Sequence, residues 1–108
     1  MQVEKSAMSI LGEKYAVPII IELFDKGGKM KISDFLTLIT NYRTLENICK
    51  KLEDSGIILK SVSESDRYDT KYLQLTELGF KIAPRLKEII HIIKIEQEKS
   101  NINSRPVD

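Results

Sequence analysis

The tightest constraint on this chain is the two-residue interval between Ile39, which ends one apolar stripe, and Asn41, which opens the next. Asn carries a short side-chain acceptor that satisfies free N–H groups at a helix start, so Asn41 predicts a new helix almost where the previous one stops. The helix it opens places Leu45, Ile48, Cys49 and Leu52 on one face and stops at Gly56. Upstream, Ser33 is a candidate cap, Asp34 suits the positive end of a helix, and Phe35, Leu36 and Ile39 form the inward stripe. Two helices therefore meet across a tight turn.

The flanks extend this pattern. Val3, Ala7, Ile10 and Leu11 recur at helical spacing before Gly12. Pro18 is tolerated only in a first helical turn, so a second helix is predicted from near Ala16 to Gly27-Gly28, turning Ile19, Ile20, Leu23 and Phe24 inward. Lys29 to Ile32 reads as a brief extended piece. Beyond Gly56, Ile57-Ile58-Leu59 and Tyr72 to Leu75 read as two strands joined by a polar tip from Ser61 to Asp69. Thr76 is placed to cap a final helix through Ile82, Leu86, Ile89, Ile90 and Ile93, kinked at Pro84. From Glu98 the apolar period is lost, which predicts one domain over 1–97 and a loose tail over 98–108. The fold class is mainly α with a small β-hairpin, α+β, in the order of a winged helix-turn-helix.

With 108 residues and a formal charge of +1, the chain suits one globular domain and lacks the strong basic excess that would announce a polyanion partner. Local pattern must decide. Opposite the buried line stand Arg43, Asn47, Lys50 and Asp54, with Tyr42 and Thr44 at the exposed N-terminal end. Arg43 and Lys50 suit guanine edges or phosphates, and Asn47 has the donor and acceptor pair that matches adenine in a major groove. Asn41, Ser33 and Lys51 complete this surface, while Arg67 and Lys71 on the hairpin are placed for backbone phosphate. Arg43, Lys50 and Lys51 exceed Glu46 by two charges, but on the hairpin Glu64, Asp66 and Asp69 cancel Lys60, Arg67 and Lys71. Double-stranded DNA is thus the expected partner, with modest affinity per protomer; a winged-helix protein-interaction module that does not touch DNA is the alternative.

Association with a second copy would strengthen binding, and a surface for it is present. Ile89, Ile90, Ile92 and Ile93 span a wider arc than one small core requires, and Val3, Ala7, Met8 and Ile10 of the first helix are the natural companions. Dimerisation helices at both chain ends are therefore expected.

Other classes find little support. No apolar run approaches the roughly 18 residues of a membrane span, and the start lacks a secretory pattern, so a cytoplasmic location is expected. His91 is the only histidine, and Gly27-Gly28 lacks the companions of a phosphate loop, so no enzyme, cofactor or metal site is indicated. Cys49 reads as a packed thiol. No residue pattern points to an effector ligand.

Over Met8 to Ile93 the chain resembles the HxlR-like group of winged helix-turn-helix regulators, and more distantly the MarR-like regulators. Leu75-Thr76-Glu77-Leu78-Gly79 is similar to that group's Leu-Thr-x-x-Gly signature, and Ala83-Pro84 follows at the usual distance. Thr44-Leu45 through Gly56-Ile57-Ile58 resembles its Leu-x-x-x-Leu-x-x-Leu-x-x-x-Gly-Leu-Val pattern. Leu11 to Tyr15 resembles its Gly-Gly-Lys-Trp segment, with Glu13 and Tyr15 replacing a Gly and the Trp. The resemblance implies a homodimeric DNA-binding regulator with 41–51 in the major groove and the hairpin on the backbone. The cysteine that some members carry near the N-terminus for sensing electrophiles has no counterpart here.

Overall fold

The computed structural model describes residues 9–63 and 70–104, with side chains described to residue 100. Residues 9–11 are helical and lead through a turn into α1, Ala16–Asp25. Strand β1 is Lys29–Lys31, a 3₁₀ helix covers Ile32–Thr37, and α2 is Tyr42–Asp54. Strands β2, Ile58–Ser63, and β3, Thr70–Leu75, precede the long helix α3, Glu77–Ser104.

The ends of α1 and α2 share one geometry. Gly27 N–H donates to Phe24 O and Gly28 N–H to Leu23 O; Gly56 N–H donates to Glu53 O and Ile57 N–H to Leu52 O. Both are Schellman closures, which need a left-handed residue just past the helix; Gly27 at φ +88° and Gly56 at φ +80° supply it without a Cβ penalty. Gly56 thereby turns the chain from α2 into β2 and drops Ile57 and Ile58 into the core.

The core gathers Ala16, Ile19, Ile20 and Leu23 of α1, Ile32 and Phe35, the α2 face Leu45, Ile48, Cys49 and Leu52, and Ile58, Leu73, Leu75 and Ala83. Helix α3 is fastened to α1 by a Lys87 Nζ to Asp25 Oδ1 ion pair of 2.6 Å and by edge contact of Phe24 with Phe80, ring centroids 6.3 Å apart.

Several expectations require correction. The segment after β1 is not an α-helix capped by Ser33: it is a single 3₁₀ stretch whose N-cap is Lys31, with no side-chain cap. With 3.0 residues per turn, Ile32 and Phe35 fall on the same side, and both are buried. The hairpin is also larger than predicted: β1 pairs antiparallel with β3, Met30 opposite Leu73, giving the sheet order β1-β3-β2. Its strands run into the polar tip, to Ser63 and from Thr70. Helix α3 passes through Pro84 and continues to Ser104, beyond the point near residue 98 where the sequence predicts a loose tail. Glu96, Gln97, Glu98 and Lys99 are good helix formers, so loss of the apolar stripe ends the buried face without ending the helix.

Thr76 caps α3 as expected. Its Oγ1 accepts from Gly79 N–H at 3.1 Å and approaches Gly56 O at 2.6 Å and Ile57 O at 3.0 Å, joining the α3 start to the end of α2. Thr76→Ala removes the cap and should lower stability by about 1 kcal/mol in urea unfolding. No change in midpoint would show that the cap contributes nothing.

Candidate nucleic-acid interface

Helix α2 has 13 residues and is about 20 Å long at a rise of 1.5 Å per residue. Asn41 initiates it as predicted: its Oδ1 accepts from Thr44 N–H at 3.2 Å. Leu45, Ile48, Cys49 and Leu52 root the inner face, and Tyr42, Arg43, Thr44, Glu46, Asn47, Lys50 and Lys51 are all exposed. Arg43, Asn47 and Lys50 follow each other at intervals of four and three residues, which aligns them along one outward flank. Among the described residues neither Arg43 nor Lys50 makes an ion pair. Both guanidinium and ammonium groups remain available to an anion.

Two contacts set how this helix sits. Glu53 Oε2 accepts from Lys60 N–H at 3.4 Å, linking the last turn of α2 to β2. Lys51 Nζ lies 2.9 Å from Glu13 Oε1, linking α2 to the turn before α1. That turn lies beside the outward flank: Glu13, Lys14 and Tyr15 face Thr44, Asn47 and Lys51 across a shallow groove. The sequence reading missed both consequences. Lys14 is an exposed cation next to Asn47, and Glu13 offsets the charge of Lys51. Only chain reversal through α1 brings 13–15 onto α2, so no local pattern could reveal this.

Ser33 is exposed on the 3₁₀ helix, and Lys71 is exposed on β3 opposite Val62. Arg67 lies outside the described residues, as do Val3, Ala7 and Met8. Ile10 is half-buried against the core of the chain itself. Ile89, Ile92 and Ile93 stay exposed at 53, 53 and 48%, with Ile90 half-buried beside them. Lys29 and Lys31 project from the edge strand β1, with Lys29 Nζ 4.8 Å from the Tyr72 ring centroid; charges there discourage strand addition.

Burial pushes the Cys49 thiol up to about 11, so it is protonated near neutrality and acts as a small apolar group. No described helix is long and apolar enough to cross a membrane.

The sequence matches the HxlR-like helix-turn-helix family over residues 10–101. The fold is similar to that of a transcriptional regulator homologue from Pyrococcus horikoshii OT3, with TM-score 0.68 and 21% identity, covering 90% of this chain and 98% of that one. It is also similar to the transcriptional regulator YodB from B. subtilis in its reduced form, with TM-score 0.64 and 22% identity, covering 96% and 94%. A protein from Enterococcus faecalis V583 assigned to the MarR family of transcriptional regulators superposes with TM-score 0.74 at 16% identity, covering 92% and 88%. Comparison with curated proteins by sequence gave no match.

Proposed function

The chain belongs to the HxlR-like helix-turn-helix family, and from that premise we propose that it is a sequence-specific double-stranded DNA-binding transcriptional regulator acting as a homodimer. The observation that carries this reading is the outward flank of α2: Arg43, Thr44, Asn47 and Lys50 are uncovered and rooted by a fully buried opposite face. In this reading α2 enters the major groove, where Arg43 and Asn47 read base edges. Ser33, Lys51, Lys71 and Arg67 hold phosphates and set register. Lys14 joins them from the turn before α1.

The uncovered isoleucines of α3 support the dimer. Ile89, Ile92 and Ile93 are exposed beyond Leu86, which packs against the core, and burial against a second copy would remove them from water. Two protomers related by a twofold axis would present their α2 helices about 34 Å apart, one DNA turn.

Selection of bound sequences from random duplex DNA, repeated at two salt concentrations, tests the reading directly. An inverted repeat with half-sites one turn apart, lost steeply as salt rises, is the expected result. An unenriched pool at low salt would overturn it in favour of a protein-interaction module.

The Glu13–Lys51 pair makes a separate prediction. Its carboxylate competes with phosphate for Lys51, so Glu13→Gln should raise duplex affinity severalfold and steepen the log–log salt slope by about one. Folding stability should fall by less than about 1 kcal/mol, since both partners are partly solvated. An unchanged slope would remove Lys51 from the interface.

A further inference from the structure

A second concavity lies where α2 faces the outer half of the hairpin strands. Ile32, Cys49 and Val62 form its apolar walls, and Tyr42, Glu46, Lys60 and Lys71 contribute to the rest of its lining. Sheet register explains the arrangement. Lys60 and Val62 are two apart on β2, and Lys71 is the direct partner of Val62 on β3, so all three stand on the sheet face that buries Ile58, Leu73 and Leu75. They mark the point where that face runs past the core and opens beside α2.

We propose that this cleft binds a small apolar monoanion, an aromatic or short-chain carboxylate, between α2 and the wing. Its volume of about 140 Å³ is well below the roughly 300 Å³ of pockets for drug-sized molecules, which limits the occupant to about a single ring. Its charge selects an anion: two ammonium groups face one carboxylate, and among the described residues none of Glu46, Lys60 and Lys71 is engaged in an ion pair. Its floor selects an apolar body, since Ile32 is 6% and Cys49 1% exposed and the Cys49 thiol is neutral. A DNA phosphate has no use for such a floor, whereas a ring or alkyl chain gains by leaving water on it. Lys60 Nζ and Lys71 Nζ would donate to the carboxylate in charge-assisted hydrogen bonds. Glu46 would disfavour a dianion.

The regulatory consequence rests on the DNA-binding reading above; the site itself does not. An occupant would engage Lys71 and abut Tyr42, two residues of the proposed DNA surface, and so would weaken duplex binding.

The test uses the full chain without DNA, titrated with benzoate and, as a neutral probe of the same shape, benzamide, followed by backbone amide NMR shifts. Benzoate should give saturable shifts centred on Cys49, Lys60 and Val62, with benzamide weaker by at least about tenfold, because a neutral amide forgoes the charge assistance of both lysine bonds. Lys60→Met and, separately, Lys71→Met should each weaken benzoate by a similar factor while leaving the circular dichroism spectrum unchanged. The Glu53 contact survives in the first variant because it uses the Lys60 backbone N–H. Equal response to the two probes, shifts centred elsewhere, or no saturable shift would overturn the site. Benzoate binding by a protein that selects no duplex would leave the site standing and defeat the DNA reading instead.

Discussion

Gly79→Ala is expected to destabilise the fold by about 2 kcal/mol, even though alanine is the better helix former by about 1 kcal/mol. A Cβ at this position would sit 2.5 Å from Ile57 O and 2.7 Å from Leu75 Cδ2. The first of these is backbone and cannot rotate away. Ile57 O already accepts from Thr76 N–H at 3.0 Å and is within 3.0 Å of Thr76 Oγ1, so retreat would loosen bonds that join α2, β3 and α3. Each such bond contributes about 1 kcal/mol, and overpacking adds about 1–3 kcal/mol, which together exceed the propensity gain. Urea unfolding measures the outcome, and a variant as stable as the parent would show that the α3 start can move freely. The Leu75-Thr76-x-x-Gly79 segment thus has a structural basis: a buried leucine, a cap, and a residue small enough for the cap to close.

The second large effect concerns recognition. Arg43→Ala and Asn47→Ala should each weaken binding to a selected operator by about 1–3 kcal/mol, and the double variant should lose most discrimination between operator and scrambled duplex. The residues are four apart on one helix flank, so their effects need not add. Lys71→Ala should behave differently, weakening all duplexes alike and reducing the salt slope by about one. Fluorescence anisotropy with the two duplexes separates these behaviours. An operator affinity unchanged in the double variant would remove the α2 flank from base readout.

Much of the fold was legible because its signals are local. Asn41, Thr76 and the glycines after α1 and α2 act within a few residues of themselves, through caps and left-handed closures that side-chain chemistry alone specifies. The buried face of α2 followed from 3.6-residue periodicity. The 3₁₀ helix was not legible, since Phe35, Leu36 and Ile39 fit a helical stripe, whereas the tighter turn is held by core contacts of Ile32 and Phe35. The extended piece at Lys29 to Ile32 was legible, but its pairing was not, because nothing in Lys29-Met30-Lys31 specifies β3 as its neighbour. The length of α3 escaped because apolar period reports burial, and an exposed helix needs none.

The candidate site divides along the same line. Sequence periodicity determined which α2 residues face away from the core, since burial of Leu45, Ile48 and Leu52 leaves Arg43, Asn47 and Lys50 no other direction. Tertiary structure alone decided their neighbours: Glu13 on Lys51, Lys14 beside Asn47, and Lys60 with Lys71 across a small apolar cleft. Spacing along a helix is a property of the backbone, readable from order alone, whereas charge balance at a point in space depends on which distant segments the packed core brings there.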